Sequence, residues 1–461
     1  KKILQRSYLI MNVYDILHKK RWNKKLSFEE IDFMVKNFYY SKIPDYQMAA
    51  FLTSIAIHSL TEEETFYLTK SIIETGQVMD YSKIPGIKLD KHSTGGVGDT
   101  VSLIVIPILA TFGIKLPKLS GRALGHTGGT IDKLESIPNF NVNLAKDEMI
   151  KALNNVGAFI ALPLDLASAD KKIYALRDLT ANVDSIPLIA SSIMSKKIAA
   201  NSDIIILDVK YGNGAFMTDY QNAISLSKTM LKIGKYFNKV MGIIISDMNE
   251  MLNNYIGNYL EIVSAISFLK GNYNQFPKLK YIVFSICSLA LYLYENYEKF
   301  KNNQDLKELS IEDLLNIYES KIIKKIDNLE ALNKFKEIVQ NQQGNIDIIE
   351  DEYKYFNPKI TYDYYSKSEG YLDYINTYNL GLAAGTLGLS RKTKEDTIDN
   401  SSGIIIYKRL GDYVKNGEKL MTLFAKDKQS LEEAINIIDN SIKIENQHAN
   451  KIKYIYNSFL I

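Results

Sequence analysis

Cysteine is almost absent from this sequence, and its scarcity excludes two kinds of site. The single cysteine, Cys287, can form neither an internal disulfide nor a cysteine-ligated zinc site. It stands in the apolar stretch 282–293, where we expect a small buried side chain. A chain without disulfides is typical of a reducing compartment, so we expect a cytoplasmic protein.

Long hydrophobic runs and an excess of one charge are also missing. The longest uncharged runs, 101–114 and 281–294, have about fourteen residues, short of the roughly twenty that a helix needs to cross a bilayer. The chain has 56 Lys+Arg against 53 Asp+Glu, a formal charge of +3. We therefore expect neither a membrane protein nor a nucleic-acid-binding protein. A hydrophobic content of 46% over 461 residues predicts two or three folded domains.

The amino-terminal residues 1–10 lack the pattern of a cleavable signal. We expect Met11 to open the natural chain, with residues 1–10 as an extension that has no functional role.

Helical spacing of apolar residues dominates the beginning of the chain. Ser27 and Thr61 each stand three residues before a glutamate, the pattern of a capping box at a helix start. Residues 169–200 are again helical in pattern. We predict a discontinuous helical domain formed by residues 11–75 and 169–200.

The pattern changes after Pro85 to an alternation of strands and helices. Residues 86–90 predict a short strand, followed by a glycine-rich loop and a helix at 101–112. The β-branched runs 204–209 and 240–246, with a helical segment between them, predict a buried and mostly parallel sheet. The predicted α/β domain comprises residues 80–165 and 203–345.

The remainder of the chain predicts a third region. Residues 302–350, rich in Lys, Glu and Asn, predict solvated helices, and short strand-like runs with glycine turns follow. We predict a β-rich C-terminal α+β region at 346–461 with a helix near 431–444. The expected fold class is α/β, with a small all-helical domain, a larger α/β domain around a mostly parallel sheet, and this third region.

Two loops rich in glycine and hydroxyl groups carry the chemistry. Residues 91–100 read Lys-His-Ser-Thr-Gly-Gly-Val-Gly-Asp-Thr between a strand and a helix, a composition that favours an oxyanion. The loop is neither a P-loop nor a dinucleotide fingerprint, and tight packing is the alternative reason for its glycines. Residues 120–130 are likewise rich in glycine and hydroxyl groups. Two such loops could converge on one phosphate at the carboxyl edge of the sheet.

A third polar cluster comprises Arg177, Ser192 and Lys196. Ser192 and Lys196 are four residues apart and should share one helix face. A solvated polar face is the alternative interpretation. Together with the phosphate loops, the cluster becomes a candidate site for a second substrate.

Four segments closely resemble the thymidine and pyrimidine-nucleoside phosphorylase family: 91–100, 120–140, 177–197 and 208–217. The resemblance extends over the chain from Met11, including 381–384 and 391–399. It implies a cleft between the helical and α/β domains and a homodimer that pairs through the amino-terminal helices. It also implies reversible phosphorolysis of thymidine or deoxyuridine to free base and pentose 1-phosphate, in pyrimidine salvage. Whether uridine is accepted stays open.

The resemblance also implies roles for individual residues. His92, Lys91, Arg177 and Lys196 would be catalytic, with His92 as general acid or, alternatively, as a structural hydrogen-bonding group in its loop. His126 would brace the second loop. The base would be bound by His92, Arg177, Ser192 and Lys196. The phosphate would be bound by Lys91, Ser93, Thr94, Ser102, Ser120 and Thr130. Closure of the cleft would use hinges at 81–85, 163–169 and 200–203.

Phosphate is a co-substrate in this scheme, and no cofactor is required. Some members of the family bind K⁺ through loop backbone at positions that match Gly98 and Thr100, with later contributions near Leu252 and Tyr255. The position of the matching carboxylate holds Ser264 here. A bound K⁺ and no bound cation are both open.

Two other functions compete with phosphorolysis. An anthranilate phosphoribosyltransferase-like protein would share the fold and an anion loop, but it would need acidic residues for magnesium pyrophosphate. A catalytically silent nucleoside-binding or regulatory protein would retain the architecture without turnover. Release of free base from a nucleoside in the presence of phosphate would distinguish all three.

Overall fold

The computed structural model describes residues 11–122, 128–302, 304, 309–390, 397–446 and 453–460. His126, for which a bracing role is predicted, and the segment 391–396 of the last family motif lie outside these residues.

Four helices open the described part of the chain. They are α1 (Val13–Arg21), α2 (Phe28–Tyr39), α3 (Asp45–His58) and α4 (Glu62–Ile73). The predicted capping boxes are confirmed. The hydroxyls of Ser27 and Thr61 accept hydrogen bonds from the backbone amides of Glu30 and Glu64. The carboxylates of the two glutamates in turn accept from the backbone amides of Ser27 and Thr61. These bonds satisfy amide groups at the helix start that have no partner within the helix, and so they fix where α2 and α4 begin.

An alternation of strands and helices follows. The elements are β1 (Leu89–Ser93), α5 (Val101–Ala110), β2 (Leu116–Leu119), α6 (Thr130–Glu135), α7 (Lys146–Asn155), β3 (Ala158–Ala161), α8 (Ala169–Leu179), α9 (Ile186–Ala199), β4 (Ile204–Tyr211), α10 (Tyr220–Tyr236), β5 (Val240–Asp247), β6 (Tyr255–Ile256), α11 (Asn258–Leu269), α12 (Pro277–Glu295), α13 (Tyr297–Lys301), α14 (Ile311–Asp327), α15 (Glu330–Asn341) and α16 (Asp347–Glu350). The first strand begins later than predicted because Gly86 has a φ of 88°, in the left-handed region, which is incompatible with extended backbone.

The central sheet has the strand order β1-β4-β5-β13, where β13 is Ile455–Leu460 near the end of the chain. Strands β1, β4 and β5 are parallel, so the predicted mostly parallel sheet is confirmed. Residues of β4 and β5 are almost all buried because helices cover both faces. Strands β2 and β3 form a separate parallel pair.

The last strand corrects one boundary of the sequence prediction. The sequence prediction places residues 346–461 in the C-terminal region, but β13 runs antiparallel to β5 and joins the α/β sheet. The physical reason is that β5 would otherwise leave a row of backbone donors and acceptors unpaired at the sheet edge. No turn or periodicity in the sequence marks this distant partner.

The helical unit is built from two segments of the chain. One apolar core joins residues of α1 to α4, such as Ile16 and Phe51, to Ala169 and Ile173 of α8. Helix α9 packs against both α4 and α10, so it connects the helical unit to the sheet.

The third region contains β7 (Ile360–Tyr365), β8 (Gly370–Ile375), α17 (Thr377–Ala384), β9 (Gly403–Ile406), β10 (Tyr413–Val414), β11 (Lys419–Ala425), α18 (Lys428–Asp439) and β12 (Ile442–Glu445). It is β-rich, as predicted. Strand β6 of the α/β domain pairs with β9, so the two parts share a sheet.

Two expectations about the apolar segments can be compared with the structure. Cys287 lies in α12 and is completely buried, as predicted for a small core side chain. Within the described ranges, no helix combines the length and the apolar character needed to cross a membrane.

Candidate active site

The pleat of β1 separates the two residues that open the first predicted loop. Lys91 is paired in register with Ile206, and His92 with Leu207. Ile206 belongs to the core that contains α5, whereas Leu207 belongs to the core that contains α9 and α10. Because successive side chains of a strand point to opposite faces, Lys91 lies on the α5 side of the sheet and His92 on the α9 side.

Lys91 is a completely buried ammonium with two long contacts. Its Nζ lies 3.5 Å from Ser102 Oγ on α5 and 3.5 Å from Asp208 Oδ2 on β4. Burial lowers the pKa of Lys91 below its usual value, and the carboxylates of Asp99 and Asp208 oppose this effect. Hydrogen bonds that an ammonium donates to an anionic oxygen are ordinarily about 2.7 to 2.9 Å long, so the Lys91 N–H groups can still accommodate a closer acceptor.

The glycine-rich loop after β1 is held by its own polar groups. Ser93 Oγ donates to Asp99 Oδ2 at 2.6 Å and accepts from the amide of Gly95 at 3.2 Å. Thr94 Oγ1 accepts from the amide of Lys210 at 2.9 Å, so this hydroxyl joins the loop to β4. Both hydroxyls have protein partners, and their predicted contacts with phosphate stay predictions.

The second predicted loop is described only at its ends. Ser120 follows β2, and its amide donates to the carbonyl of Ala161 at 3.0 Å. Thr130 is the first residue of α6. β1 and β2 bridge at Lys88 and Lys115 and lie beside each other, so Ser93 and Ser120 leave neighbouring strands at the same edge. This placement is compatible with one shared anion.

His92 lies where charged groups of both domains meet. Burial, followed by the positive charges of Lys197, Lys118, Lys91 and Lys196, holds the pKa of His92 well below its usual value of 6.5. Lys91 belongs to the sheet, whereas Lys196 belongs to α9. The pKa of the His92 imidazole is therefore shifted away from that of a proton donor at neutral pH. Its predicted proton donation requires a ligand that raises this pKa, and the role stays a prediction.

Ser192 and Lys196 share one face of α9, as predicted. Lys196 Nζ lies 3.3 Å from Ser192 Oγ, and both groups donate to Asp170 Oδ2, at 2.6 Å and 3.0 Å respectively. Asp170 is 4% exposed. Its second oxygen, Oδ1, is buried without a hydrogen-bond partner among the described residues.

Asp170 is the residue of this cluster that the sequence analysis missed. It precedes Arg177 by seven residues on α8, which places both side chains on one helix face two turns apart. This spacing is the signal that could have identified it.

Arg177 occupies a more buried place than its predicted role suggests. Its guanidinium donates to the carbonyls of Asn182, Val183 and Leu188 at 3.1, 2.7 and 3.2 Å, and the residue is 1% exposed. Burial lowers the pKa of Arg177 below its usual value. The structure therefore shows Arg177 stabilising the turn between α8 and α9, and its contact with a base stays a prediction.

A second buried network lies beneath His92. Lys197 Nζ donates to Asp90 Oδ2 at 2.8 Å, and Lys118 Nζ donates to the carbonyl of Lys91 at 2.5 Å. Lys118 satisfies this carbonyl at the point where β2 diverges from β1. Burial and the charge of Lys197 lower the pKa of Lys118 to about 7. Lys118, Lys197 and Asp90 were all absent from the predicted site, because their contacts depend on how far the two strands separate.

The candidate K⁺ position contains protein donors. Lys133 Nζ lies 2.6 Å from Glu261 Oε2 and donates to the carbonyl of Asp99 at 2.8 Å. Thr100 Oγ1 accepts from the side-chain amide of Asn253 at 2.9 Å and donates to Glu261 at 3.3 Å. Ser264 Oγ accepts from the same amide of Asn253. An ammonium and an amide thus lie among the residues of the predicted K⁺ position.

The other residues of that prediction lie close by. The amide of Leu252 donates to the carbonyl of Val97 at 3.1 Å, and the carbonyl of Tyr255 approaches Gly98. Among the described residues, no group of three or more His, Cys, Asp or Glu side chains is arranged to hold a metal ion. A cation at this position stays a prediction.

The chain matches three family models along its length. Residues 14–76 match the glycosyl transferase family, helical bundle domain, and residues 86–313 match the a/b domain of the same family. Residues 371–445 match the pyrimidine nucleoside phosphorylase C-terminal domain.

Among solved structures, the chain is similar to an anthranilate phosphoribosyltransferase from Thermus thermophilus. The TM-score is 0.55 at 13% identity, over 72% of this chain and 100% of that chain. At this identity the similarity shows the fold alone.

Similarity in sequence to curated relatives is much higher. The pyrimidine-nucleoside phosphorylase of Staphylococcus epidermidis is 42% identical, over 95% of this chain and 97% of that protein. The proteins of the same name from Geobacillus stearothermophilus and Bacillus subtilis are 43% and 42% identical, over 91% and 94% of this chain and 93% and 96% of their own lengths. With this identity over nearly its whole length, the chain belongs to the pyrimidine-nucleoside phosphorylase family.

Proposed function

We propose that this protein catalyses the reversible phosphorolysis of pyrimidine nucleosides. The observation that carries the proposal is the placement of two polar clusters around β1: Lys91 with Ser102 on the α5 side of the sheet, and Ser192 with Lys196 on α9, which packs on the other side. Phosphate beside Lys91 and a pyrimidine beside Lys196 would therefore approach the carboxyl end of β1, where Lys91 and His92 are adjacent. The names of relatives at about 42% identity support the same activity.

The reaction joins a phosphate oxygen to the anomeric carbon of the sugar and breaks the bond from that carbon to the base. The bonding electrons leave with the pyrimidine, and the proton of hydrogen phosphate ends on its nitrogen. Lys91, with the hydroxyls of Ser93 and Ser102, would hold phosphate through charge-assisted bonds. Lys196 and Ser192 would stabilise the negative charge that grows on the base.

His92 would move the proton between the two substrates. Its pKa is lowered by burial and then by the surrounding lysines, and the negative charge of bound phosphate would offset those lysines. Phosphate binding should therefore raise the pKa of the imidazole toward the range of a useful general acid. Bound phosphate would thus prepare His92 to donate a proton to the departing pyrimidine.

Thymidine and deoxyuridine are the proposed substrates, with uridine as a third candidate. The decisive experiment incubates each nucleoside with and without inorganic phosphate and measures free base by chromatography. We expect base only when phosphate is present. Release of base without phosphate, or none from any of the three nucleosides, would refute phosphorolysis. Anthranilate with phosphoribosyl pyrophosphate serves as the negative control.

Three variants test the roles that are proposed for individual site residues. Lys91→Ala should raise the KM for phosphate, and Lys196→Ala should raise the KM for nucleoside, each by roughly 10- to 100-fold, the value of one hydrogen bond to a charged group. If Arg177→Ala leaves nucleoside affinity and turnover unchanged, the predicted contact between Arg177 and the base is wrong.

We also propose a homodimer that pairs through the amino-terminal helices. Large apolar side chains protrude from α3 and from the end of α1: Trp22, Tyr46 and Ile57 are 62%, 74% and 71% exposed. Pairing would remove this surface from water. Sedimentation should give twice the mass of the chain, and Trp22→Glu with Ile57→Glu should shift it toward monomer.

A cytoplasmic location is the remaining proposal. It is supported by the single buried cysteine, which forms no disulfide. Fractionation of cells that produce the protein would test it.

A further inference from the structure

Four polar side chains cross the central sheet on the face that carries Lys91. They come from three adjacent parallel strands: Lys91 from β1, Asp208 and Lys210 from β4, and Ser246 from β5. All four residues are completely buried. Buried ionic groups of this kind lower stability unless each has a partner, so the distances within this row show which charged groups are paired.

Both oxygens of the Asp208 carboxylate are already engaged. Lys210 Nζ donates to Oδ2 at 2.5 Å, and Ser246 Oγ donates to Oδ1 at 2.5 Å. Lys210 also donates to Ser246 Oγ at 3.0 Å. Lys91 approaches the same Oδ2 but stays at 3.5 Å. Two ammonium groups therefore compete for one carboxylate, and Lys210 holds it more closely.

We infer that Lys210 is a positioning residue for phosphate binding: by holding Asp208, it keeps the Lys91 ammonium available to phosphate. This inference rests on the proposed function. Without Lys210, the nearest counter-ion of Lys91 would be a carboxylate with a free oxygen. The two would close to an ordinary ion-pair distance, and phosphate would have to displace Asp208 in order to bind.

The charges around Lys91 support this competition. Asp99 and Asp208 both favour the ammonium form of Lys91, and Lys210 opposes it. Asp99 is directed elsewhere, because it accepts from Ser93 Oγ at 2.6 Å and from the amide of Val101 at 3.3 Å. Asp208 is therefore the carboxylate that would capture Lys91.

The experiment compares steady-state kinetics of four proteins. Lys210→Met should raise the KM for phosphate roughly 10- to 100-fold, the value of one hydrogen bond to a charged group, and change the KM for thymidine much less. The double variant Lys210→Met/Asp208→Asn removes the competing carboxylate and should restore the KM for phosphate to within about threefold of wild type. A purely structural role predicts that the double variant is worse than the single one.

Lys278→Met is the matched control. Lys278 is also completely buried and pairs with a carboxylate, Asp247, at 2.6 Å, but none of its contacts involves Lys91. It should lower the melting temperature without the selective rise in the KM for phosphate. Equal KM changes in Lys210→Met and Lys278→Met would overturn the inference.

A further pair keeps the test decisive if Lys210→Met does not fold. Ser246→Ala frees Oδ1 of Asp208 and should raise the KM for phosphate, and Lys210→Arg, which keeps the charge, should not. A rise in the KM for phosphate in Lys210→Arg but not in Ser246→Ala would overturn the inference. Titration calorimetry with inorganic phosphate measures the same affinities without turnover. Phosphate binding by a wild-type protein that releases no base would contradict the proposed function and leave the Lys210 test intact.

Discussion

Replacing Asp170 with asparagine should weaken nucleoside binding and leave phosphate binding unchanged. Asp170 Oδ2 accepts from Ser192 at 3.0 Å and from Lys196 at 2.6 Å, so one carboxylate orients both side chains of α9 that face the candidate base site. Asparagine has the same shape but no charge. Its amide oxygen can still accept from both donors, but neither bond is then assisted by a negative charge, so both side chains are held less firmly.

The magnitude follows from the two bonds. The hydrogen bond from Ser192 is buried, and a bond to a charged acceptor contributes about 1.5 to 3 kcal/mol. The Lys196 side chain is 42% exposed, so its pairing with Asp170 adds at most about 1 kcal/mol in water. We therefore expect kcat/KM for thymidine to fall on the order of 10- to 100-fold.

The assay measures initial rates while thymidine and phosphate are varied separately. Asp32→Asn is the matched control, because Asp32 is 2% exposed in the same helical unit and pairs with Lys36 at 2.9 Å. A similar loss in both variants would refute the positioning role of Asp170. An equal rise in the KM values of both substrates would refute the assignment of Ser192 and Lys196 to the base.

Three further predictions concern proton binding, cations and the backbone. Since the pKa of His92 is held below 6.5, only the unfolded chain gains this proton below that pH, and the unfolding free energy falls with falling pH. His92→Gln should remove up to about 1.4 kcal/mol per pH unit of this slope in urea titrations just below about pH 6.5, and an unchanged slope would contradict it. Exchanging KCl for NaCl should change the rate of phosphorolysis less than about twofold, which is the scale of a general salt effect. The reason is that Lys133 already supplies a positive charge beside Glu261. A strict requirement for K⁺ would contradict this prediction. Gly212→Ala should lower the free energy of unfolding by about 1 to 3 kcal/mol in denaturant titrations. The φ of Gly212 is 133°, and a Cβ at this position would lie 2.5 Å from the amide nitrogen of Asn249. Unchanged stability would contradict this steric reason.

Local chemistry explains which parts of the fold could be predicted from the sequence. The capping boxes at Ser27 and Thr61 and the β-branched run of β4 are encoded within a few residues, and the structure contains them. The pairing of β13 with β5 and the contact of Lys118 with the Lys91 carbonyl join distant segments. Their formation depends on where strands end and diverge, which periodicity does not record.

The candidate site shows the same division. Lys91, Ser192 and Lys196 were named from their motifs, and the contact between Ser192 and Lys196 follows from helix spacing alone. Asp170 and Lys210 were not assigned roles, because a carboxylate or a lysine in a helix or strand has many ordinary uses. Their significance depends on which donors and acceptors the tertiary fold brings to them.

The geometry of β1 explains how one dipeptide could serve two substrates. Lys91 and His92 are adjacent, yet the pleat directs them to opposite faces, toward α5 and toward the α9 side. A slip of one residue in the pairing of β1 with β4 would exchange the two faces and disable both halves of the site. Regular pairing holds β1 on its β4 side, from Leu89 to Ser93. On the other side, where β2 diverges, the Lys118 ammonium binds the Lys91 carbonyl directly. Lys118 Nζ therefore replaces the backbone donor that a neighbouring strand would supply. This bond opposes a shift in the pairing of β1, which would remove the proposed activity.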